Sequence, residues 1–211
     1  MALSEASRSA REALTTLGRR YHQHGWLFGT SGNLSARVPG PQGPRVVVTA
    51  SGKDKGALTP DDFVEVALDG TVLAAPIGER PSAETSIHLA VYQRLPEVHA
   101  SLHVHTVAST LLEGTGATSP PTLTFSDVEM IKGWGLWETG ASAQLPIFHN
   151  HADVPTIAME IDAWLSRSPA VPALVIKGHG ITAWGGTIFE AHRHLEVTEF
   201  LCQLAGERRR R

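Results

Sequence analysis

A chain of 211 residues, 42% of them hydrophobic, suits one compact domain whose core needs no disulfide or structural metal to hold it. Its formal net charge of -3 gives no electrostatic reason to expect a nucleic-acid partner. No stretch approaches the roughly eighteen consecutive apolar residues of a membrane-crossing helix, and the N-terminus lacks an apolar signal core, so a cytoplasmic protein is expected.

The first predicted element is a helix from about Ser4 to His24, with Leu3, Ala6, Ala10, Leu14, Leu17 and Tyr21 at roughly helical spacing. Arg45 to Ala50 is a β-branched strand. Phe63–Leu68 and Thr71–Ala75 flank Asp69-Gly70, a dipeptide suited to a type I′ hairpin turn because both positions tolerate positive φ. After Pro81 a helix is predicted over Ser82–Arg94, with Ser82 as its cap and Ile87, Ala90 and Val91 on one face. The run Ala-Ser-Leu-His103-Val-His105-Thr is rich in β-friendly residues and reads as a strand. Further strands are expected near Leu145–Phe148 and over Ala173–Lys177, with a helix between them from about Val154 to Ser166. The last helix opens on a capping box, Thr187-Ile-Phe-Glu190. The only cysteine, Cys202, lies among apolar residues of that helix and reads as core; being alone, it cannot form an intrachain disulfide. Arg208–Arg211 are expected as a frayed, solvated tail, since no aromatic residues interleave them. Hairpin signals mixed with helices predict an α/β domain over residues 1–211, with a largely antiparallel or mixed sheet flanked by helices.

The chemistry concentrates on a few small-residue turns and histidines. In an extended strand the period of two points His103 and His105 to the same face, as two ligands of one divalent metal require. The alternative is a pair of polar residues on the solvated face of an edge strand. His179 is the best third ligand, because a hydrophobic run ends there between Gly178 and Gly180, where the backbone can bend tightly. Three turns suit an anion. Gly29-Thr30-Ser31-Gly32-Asn33 gathers hydroxyls, an amide and backbone N–H groups. Thr49-Ala-Ser51-Gly52-Lys53 follows a strand directly, and Pro81-Ser82 stands at a predicted helix start. Taken singly, each reads equally as an ordinary loop or cap, and neither the Walker nor the dinucleotide glycine pattern is present; three such turns around a metal candidate point to a phosphorylated small molecule.

The motifs Gly-Thr-Ser-Gly-Asn33-Leu-Ser, Thr-Ala-Ser51-Gly52-Lys53, Pro-Ser82-Ala-Glu84-Thr, His103-Val-His105 and Gly-His179-Gly, in that order, resemble the class II aldolase/adducin superfamily over nearly the whole chain. The wording Ser51-Gly-Lys-Asp-Lys55, Glu129-Met-Ile-Lys-Gly133 and Gly178-His-Gly-Ile-Thr-Ala-Trp184 is most similar to its dehydratase branch. The resemblance implies a three-layer α/β/α fold around a central mixed, largely antiparallel sheet. It also implies one Zn2+ per subunit on His103, His105 and His179, and a homotetramer with active sites at subunit interfaces. The implied reaction removes water from a sugar phosphate that carries a methylthio group, with the phosphate held by Thr30, Gly32, Asn33, Ser51, Gly52, Lys53 and Ser82.

Two glutamates compete for the acid/base role. Glu84 matches the acidic position beside the metal in the aldolases, and Glu129 matches the segment that carries the acid/base residue in the dehydratases. Glu129 is the preferred acid/base, with Glu84 assisting or lying near the metal. A methylthio group needs an apolar pocket, for which Phe125, Trp134 and Trp137 are candidates. His22, His24, His88, His99, His192 and His194 read as surface or satisfied core, and the pair His149 and His151 falls outside the family pattern of metal ligands. Two other functions remain open, an aldolase or epimerase acting on another sugar phosphate and a non-catalytic adducin-like module.

Overall fold

The computed structural model describes residues 4–115, 118–167 and 170–210. Among these residues one sheet contains β1 (Asn33–Val38), β2 (Arg45–Thr49), β3 (Phe63–Ala67), β4 (Val72–Ala74), β5 (Ala100–Val104), β6 (Thr122–Ser126), β7 (Ser142–Phe148), β8 (Ala173–Ile176) and β9 (Gly180–Gly185). The strand order is β4-β3-β2-β1-β5-β9-β8-β7-β6. Every neighbouring pair is antiparallel except β7–β8, as the mixed, largely antiparallel sheet expected from the sequence requires.

The helices are α1 (Glu5–Gln23), α2 (Thr85–Arg94), the single turn α3 (Val107–Thr110), α4 (Val154–Leu165) and α5 (Ile188–Arg209). The pleat assigns the long ones to two faces. Leu34 pairs with Leu102 across β1 and β5 and shares their face, and a Cβ on Gly18 of α1 would lie 3.4 Å from Leu34. Asn33, Ser35, Ser101 and His103 point the other way, where Ser35 meets His88 and Tyr92 of α2. α5 joins α1 through a Tyr21 Oη–His192 Nδ1 hydrogen bond of 2.8 Å and an Arg20–Glu196 ion pair, and α4 joins α2 through Arg94–Asp162. The result is three layers, α1 and α5 over one face and α2 and α4 over the other. Cys202 is buried, as expected.

β5 is the middle strand, buried along its whole length, so His103 does not decorate a solvated edge. Other expectations need correction. The β3–β4 connection is not a type I′ turn: only Gly70 has positive φ, +89°, and Asp69 does not. Gly70 N–H bonds to Ala67 O, and Ala67 N–H to Thr71 O, a three-residue loop in which Gly70 takes the left-handed position. α2 starts three residues beyond Ser82, whose carbonyl accepts from Thr85 N–H and Oγ1. The capping box at α5 is half formed: Thr187 Oγ1 accepts from Glu190 N–H, but the Glu190 carboxylate takes Gly186 N–H instead of the cap's own. Arg208 and Arg209 continue α5 where a tail was expected, and Arg209 donates to Glu113 O; Arg211, like Leu3, lies outside the described residues. Among the described residues no helix is long and apolar enough to cross a membrane.

Leu102 carries no exposed surface at the centre of β5, so Leu102→Ala is expected to cost about 2–5 kcal/mol in urea-induced unfolding. A loss under about 1 kcal/mol would show that β5 is not the packed centre of the sheet.

Candidate metal and phosphate site

The middle of the sheet delivers three imidazoles to one point. His103 sits inside β5 with no exposed surface, and His105 follows one residue past the strand end, its backbone N–H donating to Trp26 O. His179 occupies the β8–β9 turn. Gly178 adopts φ +66°, and a Cβ on Gly180 would collide with the carbonyl oxygen of Val104; the two glycines let that turn press against the end of β5. The Nε2 atom of His103 lies 2.9 Å from that of His105 and 3.4 Å from that of His179. Glu84, just before α2, completes the group: its Oε1 is 2.5 Å from His179 Nε2, 3.6 Å from His103 Nε2 and 3.9 Å from His105 Nε2.

This cluster fits a divalent metal. Bonds of about 2.0–2.1 Å in a tetrahedral site separate ligand atoms by roughly 3.4 Å, and the spacings here scatter around that value, from 2.5 to 3.9 Å. Two of the three outer nitrogens are engaged: His103 Nδ1 with Thr182 Oγ1 at 3.0 Å, and His179 Nδ1 with Asn150 Oδ1 at 3.3 Å. Such partners fix ring orientation and leave the inner nitrogens for the ion. Burial, then His103 and His179, push the His105 pKa down to about 3, so the ring is neutral as a ligand must be. Burial of Glu84 opposes its ionisation, but His103 and His179 outweigh it and hold the carboxyl below the usual range.

The three anion-type turns converge beside the cluster. Asn33 Nδ2 donates to Ser82 Oγ at 3.1 Å and to Glu84 Oε2, which joins the first turn to the third and steadies the carboxylate. Asn33 Oδ1 is held by Nε2 of the fully buried His88, whose Nδ1 meets Ser35 Oγ. Burial lowers the His88 pKa to about 3, with His103 contributing, so this ring acts as a neutral connector. Ser51 N–H donates to Arg80 O, which places the second turn alongside the third. Lys55 Nζ donates to Thr30 O at 3.0 Å and to Lys53 O at 2.9 Å, which ties the first turn to the second. The Lys53 ammonium is already neutralised by Asp62 at 3.0 Å and Glu79 at 2.5 Å.

A cavity of about 600 Å³ opens from His105 and His179, lined also by Phe28, Ser31, Leu111 and Asn150. Ser31 Oγ is buried with no hydrogen-bond partner among the described residues, so a ligand atom there would meet an unspent hydroxyl. Glu129 lies elsewhere. Its carboxylate is 84% exposed, pairs with Lys132 at 2.9 Å, and lines a different cavity with Trp137. Phe125 and Trp134 are core residues, the latter donating to His194 O, whereas Trp137 is exposed. His151 pairs with Glu160, and it is Asn150, between the two histidines, that reaches the metal cluster. Asn150, Thr182, His88 and Lys55 are the residues to which motif reading assigned no part in the site; each reaches a partner distant in sequence. Thr182→Val is expected to weaken zinc affinity about 10- to 100-fold in a chelator competition while the protein stays folded. An unchanged affinity would show that Thr182 does not orient His103.

The sequence profile of the Class II Aldolase and Adducin N-terminal domain matches residues 12–205. A methylthioribulose-1-phosphate dehydratase of Leptospira biflexa is 43% identical over 198 residues, 92% of this chain and 94% of that protein. One of Microcystis aeruginosa is 41% identical, over 90% of this chain and 92% of that protein. Among solved structures, L-fuculose-1-phosphate aldolase of Thermus thermophilus superposes with a TM-score of 0.71 at 22% identity, over 95% of this chain and 94% of that one, and shares the fold. The chain belongs to the class II aldolase and adducin family and, within it, groups with the methylthioribulose-1-phosphate dehydratases.

Proposed function

We propose that this protein is a zinc-dependent hydro-lyase that converts 5-methylthioribulose 1-phosphate to 2,3-diketo-5-methylthiopentyl 1-phosphate and water, a step of methionine salvage. The observation that carries the reading is the His103–His105–His179–Glu84 cluster beside three converging anion turns, in a chain whose relatives bear that enzyme's name. His103, His105 and His179 would hold the ion, with the Glu84 carboxylate beside them. A zinc ion held by these residues would supply Lewis acidity that makes the C3–H beside the substrate's C2 carbonyl more acidic. Thr30, Gly32, Asn33, Ser51, Gly52, Lys53 and Ser82 surround the phosphate. Lys53 contributes through its backbone amide, because Asp62 and Glu79 occupy its ammonium.

The reaction needs a base to take the C3 proton and an acid to protonate the departing C4 hydroxyl; the enol that remains ketonises to the diketone. One carboxyl group can serve both steps in turn. Glu129 is assigned that role. Its exposed carboxylate and separate cavity support its delivery to the metal of a neighbouring subunit, in a cytoplasmic homotetramer with active sites at the interfaces. Exposed Phe28, Val107 and Leu111 at the mouth of the metal-side cavity are consistent with such a contact.

Incubating the zinc-loaded protein with 5-methylthioribulose 1-phosphate should yield the diketone. Absence of turnover together with cleavage of an aldol substrate would favour the aldolase reading, which rests on Glu84 lying beside the metal. Glu129→Gln should lower dehydration by at least about 10³-fold while one zinc per chain stays bound. An active Glu129→Gln beside an inactive, zinc-loaded Glu84→Gln would exchange the two roles. A folded protein that binds no metal would sink both enzyme readings and leave a scaffold.

A further inference from the structure

The phosphate site as read from motifs lacks a cation. Lys53, the lysine the motif offers, has its ammonium between Asp62 and Glu79. The other lysine of the segment is the unusual one. Lys55 is 1% exposed, whereas lysines are almost never fully buried unless paired with an anion. Its Nζ has no carboxylate partner within ion-pair distance among the described residues; it donates only to two backbone carbonyls, Thr30 and Lys53. One belongs to the first anion turn and the other to the second.

We propose that Lys55 is the positioning cation of the phosphate site: it fixes the spacing of the Gly29–Asn33 and Ser51–Lys53 turns and places a buried positive charge behind them for a phosphomonoester dianion. The inference rests on the reading that these turns hold phosphate. An ammonium has three donors, and the two carbonyls take two of them. Burying it costs free energy that the carbonyl dipoles offset only in part, and an arriving dianion supplies the missing counter-charge. The buried position also spares the charge the screening that a surface lysine suffers. Burial lowers the Lys55 pKa to about 8, against the opposing pull of Glu84, Asp54 and Asp62. The group is therefore charged below about pH 8 and loses its charge above it. A phosphomonoester completes its second ionisation near about pH 6, so phosphate affinity controlled by Lys55 falls as pH rises past about 8, although the ligand's own charge no longer changes.

The test compares wild type with Lys55→Met, which keeps an apolar stem and removes the charge, and Lys55→Gln, which keeps two N–H donors without the charge. Zinc content and melting temperature are checked first. The proposal predicts that KM for 5-methylthioribulose 1-phosphate and the inhibition constant of inorganic phosphate both rise about tenfold or more in each variant, with kcat within about threefold. The loss of kcat/KM on the unphosphorylated sugar should be several-fold smaller than on the phosphorylated one. In wild type, the affinity for a simple alkyl phosphomonoester, dianionic throughout, should fall between pH 7.5 and pH 9.5; this reading needs no variant and decides the matter if neither substitution folds. Equal losses on phosphorylated and unphosphorylated sugar, or a flat wild-type profile over that range, would reduce Lys55 to a structural residue. If wild type itself ignores inorganic phosphate and treats both sugars alike, the phosphate reading of the turns is what fails.

Discussion

Four ligand atoms of this protein meet in a space that one divalent ion would fill, and the elements that carry them are far apart in the chain. His103 comes from the middle strand, His105 from just beyond its end, His179 from a turn between two later strands, and Glu84 from the start of a helix on one face of the sheet. Three imidazoles, with the Nε2 of His103 2.9 Å from that of His105 and 3.4 Å from that of His179, have no attraction for one another unless a cation or shared protons lie between them. The sheet therefore has to hold them there. It does so through the antiparallel pairing of β5 with β9, in which His103 stands opposite Thr182, so the strand register that builds the sheet also supplies the hydrogen bond that aims the first ligand.

The same economy links metal and anion. Asn33 is the register partner of His103 across β1 and β5; its amide reaches Ser82 and Glu84 on one side and His88 on the other. A shift of β1 would thus move an anion-type turn, the Glu84 carboxylate and a buried histidine together. Lys55 completes the frame from beneath by holding the first two turns to each other. The His/Glu cluster and the turns proposed to hold phosphate are thus coupled by contact, as the proposed substrate, whose phosphorylated C1 adjoins the carbonyl carbon, would require.

Much of this is legible in the sequence, because the chemistry there is local. The His-x-His period, the glycines around His179 and the three small-residue turns each carry their meaning within a few residues, and the long helices announce themselves by periodicity and caps. Three kinds of feature are not legible. β1 and β9 do not stand out as strands: β1 reads Asn-Leu-Ser-Ala-Arg-Val, polar at the positions that face α2, and β9 reads Gly-Ile-Thr-Ala-Trp-Gly, where glycines mask a strand. Lys53 looks like the phosphate cation because nothing nearby in sequence betrays Asp62 and Glu79 as its partners. Asn150 stays hidden between two histidines that draw attention to themselves. In each case what decides the role is a side chain brought from elsewhere by the fold.

Central to this reading is that the metal cluster of one subunit and Glu129 of its neighbour form a single dehydration site. Mixing His103→Ala and Glu129→Gln proteins, each inactive alone, and letting their subunits exchange tests it most directly. Sites that draw the metal ligands from one variant and the glutamate from the other would be intact, so recovery of about a quarter of wild-type dehydratase activity is predicted. No recovery, with subunit exchange demonstrated, would contradict it.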